Sequence, residues 1–318
     1  MSPKYALGVD IGGTKISVSL GNSRGKILAK KVLPTLTGAQ SRQAIREIAA
    51  SLAALKSRFQ KRQRIRGIGV GIPGPMDPQK GIVQRSPHLK GWQGFPLKSF
   101  LESRLKLPVF IVNDADAASL GEKVFGQGRK AKNFVYLTVS TGIGSGIVLN
   151  GKLLLGASFG AGEIGHTVIV PQGEKCSCGR RGCLEAYASG TAIAQFVRRK
   201  IRRDPKSTSS SAEKSITAEI VSLAAEKRDP LALAAFRRAG YYLGIGLANL
   251  INLFNPEMII LGGSVMKSSR FFWKEMNQSI HRHAWPTLYR ACRIVKTRLG
   301  DRVGDLGTLA LVFADISY

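Results

Sequence analysis

Two stretches of the chain share one plan, and that repetition restricts the fold more than any single residue. Residues 5–20 read as a strand, Ala6-Leu7-Gly8-Val9-Asp10, then the turn Ile11-Gly12-Gly13-Thr14-Lys15, then a second strand, Ile16-Ser17-Val18-Ser19-Leu20. Residues 134–149 repeat it: Val135-Tyr136-Leu137-Thr138-Val139, the turn Ser140-Thr141-Gly142-Ile143-Gly144-Ser145-Gly146, then Ile147-Val148-Leu149. Two such units, each with a threonine in its glycine turn, imply an internally duplicated fold with a phosphate held between the halves. A carboxylate beside glycine amides that can approach an anion closely suits a metal-bound phosphate.

Around these units the spacing predicts alternating strands and helices. Residues 40–59 have helical spacing, and Ile65–Ile72 is a buried strand stopped by Pro73-Gly74-Pro75. Pro108–Val112 is a strand that delivers Asn113-Asp114, and Ala115–Glu122 is a small-residue helix. An acid at the carboxyl end of a buried strand sits where α/β proteins bind ligands, but Asn and Asp are also preferred helix caps, so cap and catalyst are both open here. One helix is expected over Ala186–Ile201 with its basic run exposed. Further helices are expected over Ile216–Lys227, Pro230–Leu253, Arg270–His283 and Leu306–Ile316. Met258–Leu261 is a strand running into the third glycine turn, Gly262-Gly263-Ser264, and Arg293–Lys296 is another strand. The run Ser207–Ser211 marks a polar loop.

Three of the four cysteines and one of the four histidines gather between Gly160 and Glu185. His166, Cys176, Cys178 and Cys183 make a complete tetrahedral ligand set for zinc, and a set with no open position is structural. The small residues inside Cys176-Ser177-Cys178-Gly179-Arg180-Arg181-Gly182-Cys183 suit a tight knuckle. The competing reading is three reduced core cysteines. So few cysteines, so clustered, argue against a disulfide framework and for a reducing compartment. Met1-Ser2-Pro3-Lys4 leads directly into the first strand, so neither a signal peptide nor a membrane span is expected and the chain is placed in the cytoplasm.

Charge is the outlying quantity: 48 Lys and Arg against 20 Asp and Glu give +28. Such a field attracts polyanions. Runs at Lys61-Arg62-Gln63-Arg64, Arg180-Arg181 and Arg198–Arg203 come with no nucleic-acid motif, so a solvated basic surface is expected.

Taken in order, Asp10–Lys15, Gly71–Pro75, Asn113-Asp114, Ser140–Gly146, Gly162-Glu163-Ile164-Gly165-His166, Cys176–Glu185 and Gly262-Gly263 resemble the ROK family of sugar kinases. The tail through Gly304–Ala314 also fits, so the likeness spans nearly the whole chain. It implies a two-lobed, duplicated α/β fold of the actin/hexokinase-like (ribonuclease H-like) ATPase class with a structural zinc knuckle. The division it suggests is a small lobe of residues 1–115 plus a C-terminal helix over 300–318, and a large lobe of 116–299 carrying the knuckle over 166–183. The implied reaction is transfer of the γ-phosphoryl of ATP to the 6-hydroxyl of a hexose, with Mg²⁺ and a structural Zn²⁺. Asp114 matches the general base. Gly12, Gly13 and Thr14, followed by Lys15, match the first phosphate loop, with Asp10 near Mg²⁺. Thr141, Gly142 and Gly144 match the second loop, and Gly262 and Gly263 the nucleoside side. Asn113, Glu163, His166 and Glu185 match the residues that bond sugar hydroxyls, so His166 has two duties, one for each ring nitrogen.

The chain departs from the family pattern at Asp116, where Asn is usual, at His88 in the Pro87–Trp92 loop, and at Ser145. A second acid beside the base is expected to raise the pKa of one of them. The motif spacing is most similar to the glucokinase branch. N-acetylmannosamine kinase, fructokinase and a polyphosphate-using glucokinase are the alternatives within the enzyme class. The family's sugar-responsive repressors carry a helix-turn-helix before the first loop, and only nine residues precede Asp10 here. A catalytically dead sugar binder is disfavoured by the intact base, loops and cysteine set. The expected partners are a hexose and further copies of the chain, as dimer or tetramer, with no specific nucleic acid and no membrane. Closure of the lobes over the sugar is expected, since water must be kept from the phosphoryl group.

Overall fold

The computed structural model of the chain describes residues 3–60, 64–74, 76–84, 89–202 and 215–314. Lys61, Arg62, Gln63, Pro75, Pro87, His88, Arg203, the Ser207–Ser211 run and Ile316 lie outside the described residues. Contacts gather the chain into two compact units, Met1–Lys132 with Gly146–Gly162 and Thr297–Tyr318, and Asn133–Ser145 with Glu163–Lys296.

In the first unit a five-stranded sheet has the order β3-β2-β1-β4-β7, with β1 Tyr5–Ile11, β2 Lys15–Asn22, β3 Ile27–Pro34, β4 Ile65–Ile72 and β7 Val109–Asn113. A small hairpin, β5 Met76–Asp77 with β6 Ile82–Val83, sits apart from it. β1, β2 and β3 form an antiparallel meander, whereas β4 and β7 run parallel to β1. Alternation along β1 accounts for helices on both faces. Leu7, Val9 and Ile11 share a core with Ala44, Ile45, Ile48, Ala49 and Leu52 of α1, Ser41–Gln60. Ala6 instead joins Leu306 and Leu309 of the C-terminal helix. β3 has Lys30, Lys31 and Val32 exposed at the sheet edge, where lysines discourage further strand pairing.

α2, Leu97–Leu105, was not expected from the sequence, although Leu97, Leu101 and Leu105 recur every four residues and all are buried. α3, Asp114–Phe125, packs on the C-terminal helix through a pair of glycines. A Cβ on Gly121 would stand 3.0 Å from the Gly307 Cα, so neither position has room for a side chain. Both helices fall in the first unit.

The second sheet repeats the first: order β10-β9-β8-β11-β12, from β8 Phe134–Val139, β9 Ile143–Leu149, β10 Lys152–Leu153, β11 Met258–Gly262 and β12 Arg293–Lys296. β9 and β10 pair antiparallel, and β11 and β12 continue parallel to β8. The duplication read from the two glycine turns is therefore a duplication of whole sheets.

The expected helix over Ala186–Ile201 is two helices, α4 Glu185–Ala188 and α5 Gly190–Arg202, because Ser189 has an extended ψ of 165°. α6, Ala218–Glu226, and α7, Pro230–Phe254, follow. Asp229 caps α7 by accepting the Ala232 N–H at 2.7 Å, and Pro230 occupies its first turn. α8 begins at Trp273 and runs to His283, later than expected, because residues 264–271 wind as 3-10 helix. α9, Pro286–Ala291, was missed, and the C-terminal helix is α10, Val303–Phe313. The basic run of α5 is only partly solvated: Arg198 donates to the Ile216 carbonyl, and Arg199 pairs with Glu174. Among the described residues no helix is long and apolar enough to cross a membrane.

Candidate active site

In the first unit, Asp10 is half-buried one residue before β1 ends, and Gly13, Thr14 and Lys15 of the following turn are exposed. The turn is closed by the Gly12 N–H donating to the Lys15 carbonyl at 2.9 Å, and by the Thr35 hydroxyl donating to the Gly12 carbonyl at 2.8 Å. Across the hairpin Asp10 stands opposite Ser17. The Ser17 hydroxyl donates to Asp305, in the first turn of α10, and Asp305 also pairs with Lys30 although it is only 2% exposed. Burial, then the Asp114 and Asp305 carboxylates, push the Asp10 carboxyl up to about 7, while Lys30 and Lys15 pull it back. A carboxylate so disfavoured as an anion is one that a cation would stabilise.

At the end of β7, Asn113 is the N-cap and Asp114 the first residue of α3. Asn113 Oδ1 accepts the Ala115 N–H at 2.8 Å and so caps α3, while its Nδ2 donates to the Gly74 carbonyl at 3.3 Å. Asp114 is the first residue inside the helix, where a negative charge is favoured by the helix dipole. Its Oδ1 accepts the same Ala115 N–H at 2.9 Å. Asp116, one turn position further, is 4% exposed.

In the second unit the turn after β8 is tied to two neighbours. The Ser140 carbonyl accepts the Gly190 N–H at 2.7 Å, and the Thr191 hydroxyl donates to the Thr141 carbonyl at 2.8 Å, so the start of α5 holds the turn. The Ser140 and Ser264 hydroxyls are 2.8 Å apart, which places the Gly262-Gly263-Ser264 turn beside it. Gly263 has φ 94°, and a Cβ there would come within 2.3 Å of the Val139 carbonyl.

The knuckle has the expected ligands converging. His166, Cys176, Cys178 and Cys183 present ligand atoms all within 4.8 Å of one another. Cys176 Sγ lies 3.7 Å from His166 Nδ1, and Cys178 Sγ 3.7 Å from Cys183 Sγ. With Zn–S bonds of about 2.3 Å, a tetrahedron has edges of about 3.8 Å, so the donor set fits zinc. Gly182, at φ 80°, lets the loop turn back against the Val170 carbonyl. His166 offers Nδ1 to the cluster and leaves Nε2 facing Glu163, 4.0 Å from its Oε2. Glu185 accepts the Ile143 N–H at 2.9 Å and the Ser177 hydroxyl at 3.0 Å.

Each unit thus gathers its share of the residues singled out in the sequence: Asp10 to Lys15 with Asn113 and Asp114 in the first, the remainder in the second. Sequence reasoning missed Ser17, Lys30, Asp305, Ser177 and Ser264. Asp305 carried a faint signal, an acid heading the apolar run Leu306–Leu311.

A family model described as ROK family matches residues 6–315. A glucokinase of Halalkalibacterium halodurans is 36% identical over 312 residues, covering 96% of this chain and 94% of that protein. A xylose repressor of Caldicellulosiruptor bescii is 33% identical over 313 residues, covering 98% of this chain and 78% of that protein. A crystal structure of a ROK family glucokinase from Streptomyces griseus in complex with glucose and AMPPNP matches with TM-score 0.79 at 30% identity, over 98% of this chain and 99% of that one.

Proposed function

Because the chain belongs to the ROK family, we propose that it transfers the γ-phosphoryl of ATP to the 6-hydroxyl of glucose. The observation that carries this reading is the end of β7, where Asn113 is the N-cap of α3 and Asp114 is the first residue inside the helix. Asp114 is then the base: it accepts the proton of the 6-hydroxyl as that oxygen bonds to the γ-phosphorus and the bond to the leaving ADP breaks. Such transfer depends chiefly on positioning and charge neutralisation, so the base aligns the hydroxyl as much as it deprotonates it. The amides of Gly12, Gly13 and Thr14, with Lys15, form one donor-phosphate loop, and Thr141, Gly142 and Gly144 form a second. Gly262 and Gly263 form the nucleoside side. Asp10 would hold a magnesium ion, which supplies neutralisation of the phosphate charge when bound.

Asn113, Glu163, His166 and Glu185 read the sugar hydroxyls. Zinc in the Cys3His cluster completes its coordination without an open position, so its contribution is structural. Occupying Nδ1 leaves Nε2 of His166 as the nitrogen available to a hydroxyl. The Streptomyces griseus structure, with glucose and AMPPNP bound, supports both the sugar and the nucleotide.

A second reading, a sugar-responsive regulator without turnover, has support in the xylose repressor likeness. An ADP-release assay separates the two, run on glucose, mannose, fructose, N-acetylglucosamine and N-acetylmannosamine with ATP, and repeated with polyphosphate by following sugar phosphate. Glucose is expected as the best acceptor and ATP as donor. Transfer from polyphosphate alone would remove the ATP assignment, and sugar binding without transfer would favour the regulator.

A further inference from the structure

Ile143, which opens β9 directly after the Thr141-Gly142 turn, is held on both sides by segments assigned to the sugar. Its N–H donates to Glu185 Oε2 at 2.9 Å. Its carbonyl lies against Gly165, where a Cβ would come within 2.3 Å of the oxygen. Gly142 is equally enclosed, since a Cβ there would stand 2.5 Å from the same Glu185 Oε2. The other carboxylate oxygen, Oε1, accepts the Ser177 hydroxyl at 3.0 Å, and Ser177 stands between two zinc-set cysteines, Cys176 and Cys178. One carboxylate therefore bridges the knuckle and the phosphate turn.

We propose that Glu185 links the sugar side to the donor-phosphate turn, with Ser177 as the positioning residue that aims it. The link rests on the kinase reading above, in which Glu185 takes a sugar hydroxyl and the turn takes donor phosphates. An ionised carboxylate has about four acceptor positions, and two are used here, so it can accept a sugar hydroxyl without releasing the Ile143 N–H. Bonds to an ionised acceptor are the stronger kind and hold the turn firmly. A sugar that fixes the carboxylate fixes the turn with it, and the donor then binds a loop already ordered. The ordering cost is met once for two ligands, which makes each bind more tightly in the presence of the other. A carboxylate that only stitched the fold together would affect stability without coupling the ligands.

The test compares the full zinc-loaded chain with Ser177→Ala, Ser177→Thr and Glu185→Gln. Glucose affinity is measured by calorimetry with and without AMPPNP, beside zinc content and turnover with ATP. The wild type is expected to bind glucose about fivefold or more tightly with AMPPNP present. Ser177→Ala should keep its zinc and lose most of that gain, Ser177→Thr should restore it, and Glu185→Gln should lose it together with intrinsic sugar affinity. A wild-type ratio of one, or a ratio unchanged in both Ser177→Ala and Glu185→Gln, overturns the link. Loss of zinc in Ser177→Ala overturns its positioning role, and the link then stands or falls on Glu185→Gln. Wild-type chain that transfers no phosphoryl from ATP to any hexose sinks the kinase reading itself, whereas active chain with uncoupled ligands sinks only the link.

Discussion

Asp10 and Asp114 are both acids beside the ends of buried strands, yet their surroundings separate their duties. Asp114 lies within the first turn of α3 behind its own cap, so Asp114→Asn should fold normally and retain glucose binding. Turnover in the coupled assay should fall by about 10²–10⁴, the usual contribution of a positioned base, and a near-normal rate would remove Asp114 from that role. Asp10 is a different case, because its ionised form is disfavoured where it sits. Its folded pKa is about 7 against an ordinary aspartate value of 3.8, so the folded protein holds that proton more tightly than the unfolded chain. Metal-free stability from this group is therefore greatest at low pH and is lost as pH rises from about 4 to about 7. Asp10→Asn should raise the metal-free Tm more at pH 8 than at pH 5, by about 2 °C for each kcal/mol relieved, while abolishing transfer. Equal shifts at the two pH values in thermal melts would contradict this account. Asp114 was legible in the sequence because a buried strand delivers it. Asp305 was not, since its partners Ser17 and Lys30 lie far away in the chain and meet it only after the sheet forms.

At the scale of elements, the knuckle is the segment that presents a complete metal-ligand set. Its loop carries two isolated bridges, Val168 to Cys183 and Lys175 to Arg181, and little other regular structure. Zinc bound by the Cys3His set would contribute its binding energy to the folding of the loop. Cys178→Ser should lose zinc and raise the KM for glucose by about tenfold or more, while α7 and α8 stay packed; metal analysis beside far-UV circular dichroism checks both. Without metal, burial first and then the neighbouring thiols push Cys183 up to about 12, so protons compete with zinc and a chelator should strip it faster at pH 6 than at pH 8. The spacing of the knuckle was fully legible. The hydrogen bonds of Glu185 to Ile143 and Ser177 were not, because nothing in the local pattern says that residues 143 and 185 become neighbours.

The excess of 28 positive charges belongs to the molecule as a whole. Few acids are available to pair it, and several of the pairs that form, such as Arg270 with Glu226, are at the surface and weak. Non-specific attraction to polyanions should follow, and it should be steep in salt. Duplex DNA followed by fluorescence anisotropy is expected to bind at 50 mM salt and to lose about 10³ in affinity by 200 mM, without preference for sequence. Sequence-dependent retention at 200 mM would instead mark a nucleic-acid site.

What the sequence determined by itself was local. The strand-turn-strand repeats, the cysteine spacing and the acid after Val109–Val112 all follow from periodicity and from residue types that tolerate few environments. The tertiary structure decided which of these local features meet. It set Asn113 rather than Asp114 as the cap, split the helix at Ser189, and closed α3 on α10 through Gly121 and Gly307. It also joined the knuckle to the second turn through one carboxylate. Close approach of distant segments depends on space left by absent side chains and on partners far apart in the chain, and neither is encoded in a local pattern.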